Sequence, residues 1–190
     1  MEINHIGTEE IKTKRLVLRR FHENDAKEIF ENWISDPEVA KYMVWNYQKD
    51  IKETEEWLQK CISKYEKLDV YNWGIELKKS GSLIGSISAN KTEHDDECYE
   101  IGYALGKEYW RKGYATESLK AVTEFLIKEV GIRKFLCRYA KENRASGSVI
   151  RKVGFEYKGK GKFTSLDGKR NFESEEYYLD FEIPKGKDYE

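Results

Sequence analysis

The feature that most constrains the fold of this chain is a change in hydrophobic period after residue 70. Residues 71–77, 83–90 and 99–105 are rich in β-branched and aromatic side chains and have the lengths of strands, with Ser80-Gly81 as a turn between the first two. Residues 115–129 instead place apolar side chains at helical spacing and charged ones on the opposite face. Three successive strands followed by an amphipathic helix predict an α+β or mixed-sheet α/β domain.

Weaker patterns complete the predicted order of elements. Asn24 and Asp50 are each predicted to cap a helix, and Asp36-Pro37 is predicted to end the first of them. Asn143 is predicted to cap a short helix that closes at Gly154. Further strands are predicted at residues 14–21, 134–139, 155–163 and 172–183. The predicted order is therefore βααβββαβαββ.

Length and composition limit the classes of protein to which the chain can belong. The 190 residues suffice for one well-buried core and are few for two, so a single domain over residues 1–190 is predicted. Aromatic residues make up 14% of the chain, a content that disordered chains lack. The 34 basic and 35 acidic residues nearly cancel, which argues against a dedicated nucleic-acid binder, since such proteins carry a basic excess or stripe.

The remaining composition points to a soluble protein of the cytoplasm. No apolar run approaches the roughly 20 residues that a membrane span requires, and residues 1–13 lack a signal-peptide core. Three widely spaced cysteines, Cys61, Cys98 and Cys137, predict buried, reduced thiols rather than a disulfide framework. The acidic stretch at residues 93–97 lacks a convincing set of metal ligands and is interpreted as a solvated loop.

A glycine-containing turn, Tyr109-Trp110-Arg111-Lys112-Gly113-Tyr114-Ala115-Thr116, links the third strand to the long helix. The first amides of a helix lack partners inside the helix, and the helix dipole adds partial positive charge there, so such a turn binds a pyrophosphate well. The turn is neither a P-loop nor a dinucleotide fingerprint. Taken alone, it favours the simpler interpretation of a tight strand-to-helix connection that binds nothing.

A second pattern, N-x-x-S-x-x-V-x-x-K-x-G-F, runs from Asn143 to Phe155. Together with Glu100-Ile101-Gly102-Tyr103 and the stretch from Trp110 to Glu117, it resembles the signature of the GNAT superfamily, specifically that of the RimJ/RimL-type N-acetyltransferases. The resemblance covers a core of about residues 11–183 and keeps the order of the motifs. Trp110 occupies a place where the wider superfamily has Gln or Arg, as is usual for the RimJ/RimL-type group.

The resemblance implies the GNAT acyl-CoA N-acyltransferase fold, in which helices flank a central, mostly antiparallel, twisted sheet. It also implies acetyl-CoA as co-substrate and no metal. In similar enzymes the pantetheine arm pairs with the central strand, here at Ile101, Tyr103 and Leu105. The pyrophosphate would lie on the backbone amides of Arg111, Lys112, Gly113, Tyr114, Ala115 and Thr116. Asn143 would contact the pantetheine arm, a role that is compatible with capping the helix.

The resemblance also suggests roles for two reactive side chains. Ser146, one turn after Asn143, would lie against the thioester sulfur and protonate the departing thiolate, although a Tyr can do so in relatives. Glu100 aligns with a strand glutamate that serves as base, often through water. The alternatives are a surface hydroxyl for Ser146 and, for Glu100, a carboxylate paired with a nearby Arg or Lys.

The expected reaction is direct transfer of acetyl to an amine in one ternary complex. The favoured acceptor is a protein or peptide N-terminal α-amine, as in the acetylation of ribosomal proteins. The alternatives are a small amine, such as a polyamine or an antibiotic, and a non-catalytic acyl-CoA-binding module, since a fold does not determine a function. No membrane or nucleic-acid partner is expected, and the oligomeric state stays open, although homodimers are common among similar proteins.

Overall fold

The structure, a computed structural model, describes residues 3–181, which form eight strands and five helices. The strands are β1 (Ile11–Lys12), β2 (Leu16–Arg19), β3 (Tyr71–Leu77), β4 (Leu83–Lys91), β5 (Cys98–Leu105), β6 (Lys134–Ala140), β7 (Glu156–Thr164) and β8 (Asn171–Asp180). The helices are α1 (Ala26–Ile29), α2 (Pro37–Ala40), α3 (Ile51–Ser63), α4 (Tyr114–Phe125) and α5 (Arg144–Val153). Wider helical turns extend α1 over Phe30–Ile34 and α4 over Leu126–Val130.

All eight strands belong to one sheet, in the order β1-β2-β3-β4-β5-β6-β8-β7. Every neighbouring pair is antiparallel except β5 and β6, which run parallel at the centre of the sheet. A parallel pair needs a crossover connection, and α4 supplies it. The predicted α+β fold with a mostly antiparallel central sheet is thereby confirmed.

Helices cover both faces of the sheet and create two cores. On one face α4 buries Leu119, Val122 and Leu126, whose spacing of three and four residues forms a continuous apolar stripe. On the other face α1 to α3 bury a smaller cluster that includes Trp33 and Leu58. Burial of each such side chain contributes about 1.5–3 kcal/mol, so both layers are firmly attached to the sheet.

Most of the predicted elements are present, and the deviations have local causes. Helix α5 has the predicted bounds; Asn143 caps it, and Gly154, with φ of 102°, closes it. The cap predicted at Asn24 is wrong, because a short 3₁₀ turn at Glu23–Asp25 precedes α1 and the Asp25 carboxylate accepts from the His22 amide instead. The last residues of the strand predicted at 172–183 lie outside the described part of the chain.

The three cysteines are free thiols, as predicted, but they differ in burial. Cys98 and Cys137 are buried, whereas Cys61 is only half-buried. Burial raises the pKa of the Cys137 thiol well above its usual value, which keeps it in the unreactive protonated form. In the part of the chain that the structure describes, no helix is long and apolar enough to cross a membrane.

Candidate active site

The two central parallel strands of the sheet, β5 and β6, separate along their length. β5 and β6 pair only from Cys98 to Glu100, opposite Lys134 to Leu136, although β5 continues to Leu105 and β6 to Ala140. Parallel strands end at the same edge of a sheet, so the helices that follow them, α4 and α5, both begin beside this opening. The parted strands therefore leave a gap between two helix N-termini.

The backbone of β5 faces this gap beyond Glu100. The Ile101 carbonyl accepts from the Cys137 thiol of β6 at 3.4 Å, and the Leu105 carbonyl accepts from the Trp110 indole at 2.7 Å. Because backbone polar groups in a strand alternate in direction, Tyr103 also turns its N–H and C=O toward the gap. Because a carbonyl oxygen can accept a second hydrogen bond, this edge is still suited to pair with an extended, amide-containing ligand.

The glycine turn delivers a helix N-terminus without a side-chain cap. Gly113, the N-cap of α4, has φ of 83°, a left-handed conformation that glycine adopts without strain, and Arg111 also has a positive φ of 60°. The first intrahelical bond joins the Glu117 amide to the Gly113 carbonyl at 3.0 Å. The amides of residues 114–116 are left to an outside partner, whereas Asp36, Asp50 and Asn143 cap α2, α3 and α5.

Glu117, in the first turn of α4, holds the glycine turn in place. It accepts from the Thr13 hydroxyl at 2.6 Å, from the Arg15 amide at 2.8 Å and from Arg15 Nε at 2.7 Å. Arg15 continues to the Lys112 carbonyl at 2.9 Å. Burial alone would raise the pKa of Glu117, but the hydrogen bonds from Thr13 and Arg15 outweigh it and lower that pKa below its usual value. The ionised carboxylate thus ties the turn to the chain before β2.

On the α4–α5 side of the opening, a tyrosine and a serine meet. The Tyr103 hydroxyl lies 2.9 Å from Ser146 Oγ, and the Asn143 carboxamide oxygen accepts from the Ser146 amide at 3.4 Å. Gly147 lets the Tyr139 hydroxyl of β6 approach α5 closely, since a Cβ there would clash with that hydroxyl. Burial raises the pKa of the Tyr103 phenol well above its usual range, so it stays protonated near neutral pH.

Glu100 lies on the opposite face of β5, which α1 to α3 cover. Ala104, on the same face as Glu100, belongs to the smaller core. Ile101, on the other face, belongs to the α4–α5 core. The Glu100 carboxylate forms a bidentate ion pair with Arg138 of β6, at 2.7 and 2.8 Å. Both side chains keep contact with solvent, with 30% and 34% of their surface exposed. The ion pair fixes the orientation of the carboxylate.

Most residues predicted for the site are brought together here. The β5 edge, the glycine turn, Asn143 and Ser146 surround one opening, and Glu100 lies on the other face of the same strand. Sequence analysis missed the partners that hold these groups, namely Thr13, Arg15 and Arg138. Their signal was weak, because each acts across the fold, through contacts 38 to 104 residues apart in the chain.

Comparison with known proteins identifies the family to which this fold belongs. Residues 15–156, which include the parted strands, the glycine turn and α5, match the family described as acetyltransferase (GNAT) domain. The chain belongs to the GNAT family. This GNAT protein is therefore an N-acetyltransferase that depends on acetyl-CoA.

Several relatives of this GNAT acetyltransferase extend over most of the chain. The uncharacterised N-acetyltransferase YnaD of Bacillus subtilis is 30% identical over 168 residues, covering 88% of this chain and 94% of its own. The [ribosomal protein uS5]-alanine N-acetyltransferase of Escherichia coli is 24% identical over 166 residues, covering 83% and 84%. RimL, a ribosomal L7/L12 α-N-protein acetyltransferase solved with coenzyme A, shares the fold, with a TM-score of 0.79, 22% identity and coverage of 91% and 98%.

Proposed function

We propose that this GNAT protein acetylates the N-terminal α-amine of a protein or peptide by direct transfer within a ternary complex, acting as a single cytoplasmic domain. The observation that carries the proposal is the parting of β5 and β6 beside an uncapped helix N-terminus. An extended thioester arm fits the first feature and a pyrophosphate the second. Two relatives named for ribosomal N-terminal acetylation support the choice of acceptor.

In this proposal the cofactor lies along the opening. The pantetheine arm pairs with the backbone of Ile101, Tyr103 and Leu105, and the pyrophosphate accepts from the amides of residues 111–116. The Asn143 carboxamide oxygen already caps α5, so its amide group is the part that contacts the pantetheine arm. This arrangement directs the thioester toward Ser146, one turn into α5.

The chemistry then needs one proton removed and one supplied. The neutral amine attacks the thioester carbonyl, whose oxygen is polarised by the Tyr103 backbone amide. The C–S bond breaks as the C–N bond forms, and the departing thiolate takes a proton from Ser146, which Tyr103 contacts at 2.9 Å. Holding both reactants together supplies most of the rate, since the effective concentration contributes about 7–11 kcal/mol.

Glu100 is the proposed base, acting directly or through a water molecule. Its bidentate pairing with Arg138 fixes its orientation. An α-amine needs little help from a base, because with a pKa of about 7.7–8.0 around a tenth of it is already neutral at pH 7. A lysine ε-amine, with a pKa of about 10.4, is under a thousandth neutral and needs a stronger base.

A product screen tests the acceptor class. The purified enzyme would be incubated with acetyl-CoA and a library of peptides and polyamines, and the acetylated products identified by mass spectrometry. Peptides with acetylated α-amines are the expected products. Acetylation of small amines alone would contradict the proposed acceptor, and acetyl-CoA binding without transfer to any amine would contradict catalysis itself.

Replacing Glu100 by glutamine is expected to slow acetylation of an α-amine about tenfold at pH 7 and hardly at all at pH 9, where the amine is mostly neutral without a base. The measurement is kcat as a function of pH for one peptide. Glu124→Gln on the surface of α4, which removes another exposed carboxylate, is the control. A Glu100→Gln profile parallel to that of the wild type would rule out the base role.

Replacing Glu117 by glutamine is expected to raise the KM for acetyl-CoA about fivefold to tenfold, with little change in the KM for the acceptor. The substitution weakens charge-assisted hydrogen bonds that contribute about 1–1.5 kcal/mol to holding the turn. Glu124→Gln, two turns further along the same face of α4, again serves as the matched control. Equal cofactor KM values for the two variants would show that Glu117 does not position the turn.

A further inference from the structure

The hairpin of β7 and β8 is joined to the segment after α2 by one arginine. Nη1 of Arg170 donates to the carbonyls of Ala40 and Lys41 at 3.0 and 3.3 Å. Nη2 donates to those of Met43 and Trp45 at 3.1 and 2.7 Å. The first of these carbonyls belongs to the last residue of α2 and the others follow it; the Ala40 carbonyl also accepts from the Met43 amide at 3.0 Å.

Two further contacts join the same hairpin to the same segment. The Leu166 amide donates to the Val44 carbonyl at 2.7 Å, and the Asn46 carboxamide donates to Asp167 at 2.8 Å. Hydrogen bonds from Ser165, Asn46 and the Lys169 amide lower the pKa of Asp167 to about 2, so it is ionised and accepting at neutral pH. Residues 41–49 contain no helix or strand, so these contacts, together with the bond from the Gln48 amide to the Ile34 carbonyl, hold the segment in place.

The arginine also begins a column of stacked side chains that reaches Glu100. Its guanidinium lies 5.5 Å from the Phe172 ring, which stacks on Phe163 at 4.8 Å. Arg138, the partner of Glu100, lies 5.9 Å from the other end of this pair, at the Phe163 ring. The column connects the hairpin to the proposed base across the face of the sheet that α1 to α3 cover.

This face is the one opposite the cofactor elements. Met43 and Trp45 pack against the core of α1 to α3, whereas the glycine turn and α5 belong to the other layer. Arg170 itself lies beyond residues 15–156, the stretch that matches the family. Its contacts are thus placed to build the wall that an amine acceptor meets, without contacting the groups proposed for acetyl-CoA.

We propose that Arg170 is a positioning residue for the amine acceptor, which it serves by holding residues 40–46 against the β7–β8 hairpin. The inference rests on the proposed function and adds the element that shapes its acceptor side. Only a planar guanidinium presents enough fixed donors to reach four carbonyls while stacking on an aromatic ring. A lysine, as a single point charge with three donors, reaches fewer of them.

The variants Arg170→Ala and Arg170→Lys test this, with Lys169→Ala as matched control, since Lys169 is an exposed neighbour in the same turn. We expect the KM for a peptide acceptor to rise at least tenfold in Arg170→Ala and by less in Arg170→Lys. The KM for acetyl-CoA should stay within twofold of the wild-type value in all three. A merely structural role would move both KM values together, and that outcome, or an unchanged acceptor KM, overturns the proposal.

Amide hydrogen exchange of residues 40–46 gives a second readout that requires no substrate. Exchange there should be at least tenfold faster in Arg170→Ala than in Lys169→Ala, with unchanged exchange in α4 and α5. Equal rates in the two variants overturn the role of Arg170. A wild-type enzyme that acetylates no amine contradicts the proposed function alone, because the exchange result still decides whether Arg170 holds this segment.

Discussion

A Gly113→Val variant is expected to bind acetyl-CoA at least a hundredfold more weakly than the wild type while remaining folded. Valine is poorly compatible with the φ of 83° at this position, and its Cβ would also lie 3.2 Å from Arg15 Nη2. Relief of both strains moves the turn and with it the amides of residues 114–116. Loss of two amide–phosphate hydrogen bonds costs about 3–6 kcal/mol, which is a hundredfold or more in affinity.

A second glycine allows strain and binding to be separated. Gly81, in the β3–β4 hairpin, has φ of 71°, and among the described residues no atom lies within 4 Å of the point that a Cβ would occupy there. Gly81→Val therefore carries a similar backbone penalty, about 1–2 kcal/mol, and should lower the melting temperature by a similar few degrees. Calorimetric titration with acetyl-CoA distinguishes the two variants, because only Gly113→Val should bind it more weakly. Equal affinities in both variants would refute the pyrophosphate site at the start of α4.

Features that act within one helical turn could be predicted from the sequence. Asn143 and Gly154 delimit α5 because a cap and a left-handed closing residue act on amides and carbonyls that are adjacent in the chain. The sequence predicted that Asp36-Pro37 ends one helix, but it did not reveal that the pair also begins α2. Asp36 is the N-cap of α2, and Pro37 is its first helical residue. The same local chemistry ends one helix and starts the next. The second helix has only four residues, which is too few to show a hydrophobic period in the sequence.

Contacts that depend on strand register could not be predicted. Glu100 and Arg138 meet because β5 and β6 pair in parallel at one register, and a shift of one residue would turn Arg138 to the other face. The point at which these strands part depends on the helices packed on both faces. Arg170 reaches the end of α2 from 125 or more residues away in the chain, which no local pattern indicates.

Ser146→Ala and Tyr103→Phe are each expected to lower kcat about a hundredfold, and the double variant is expected to be no slower than Ser146→Ala. The proposed proton path explains the lack of additivity. Ser146 gives its proton to the departing thiolate, and the buried Tyr103 hydroxyl, 2.9 Å away and protonated at neutral pH, donates a hydrogen bond to the Ser146 oxygen as it loses that proton. Ser146 regains a proton from solvent once the products leave. A positioned acid typically contributes about 10²–10⁴-fold, and groups that act as one unit lose that factor only once.

Two other residues provide matched controls for this cycle. Ser148→Ala removes another hydroxyl from α5, and Tyr157→Phe removes the hydroxyl of an exposed tyrosine on β7. Single-turnover rates with saturating acetyl-CoA and peptide isolate the chemical step from binding and product release. If the losses from Ser146→Ala and Tyr103→Phe multiply in the double variant, the two hydroxyls act independently and the relay is wrong. If Ser146→Ala retains the full rate, the thiolate takes its proton from solvent, and the close contact between the two hydroxyls serves only to pack α5 against β5.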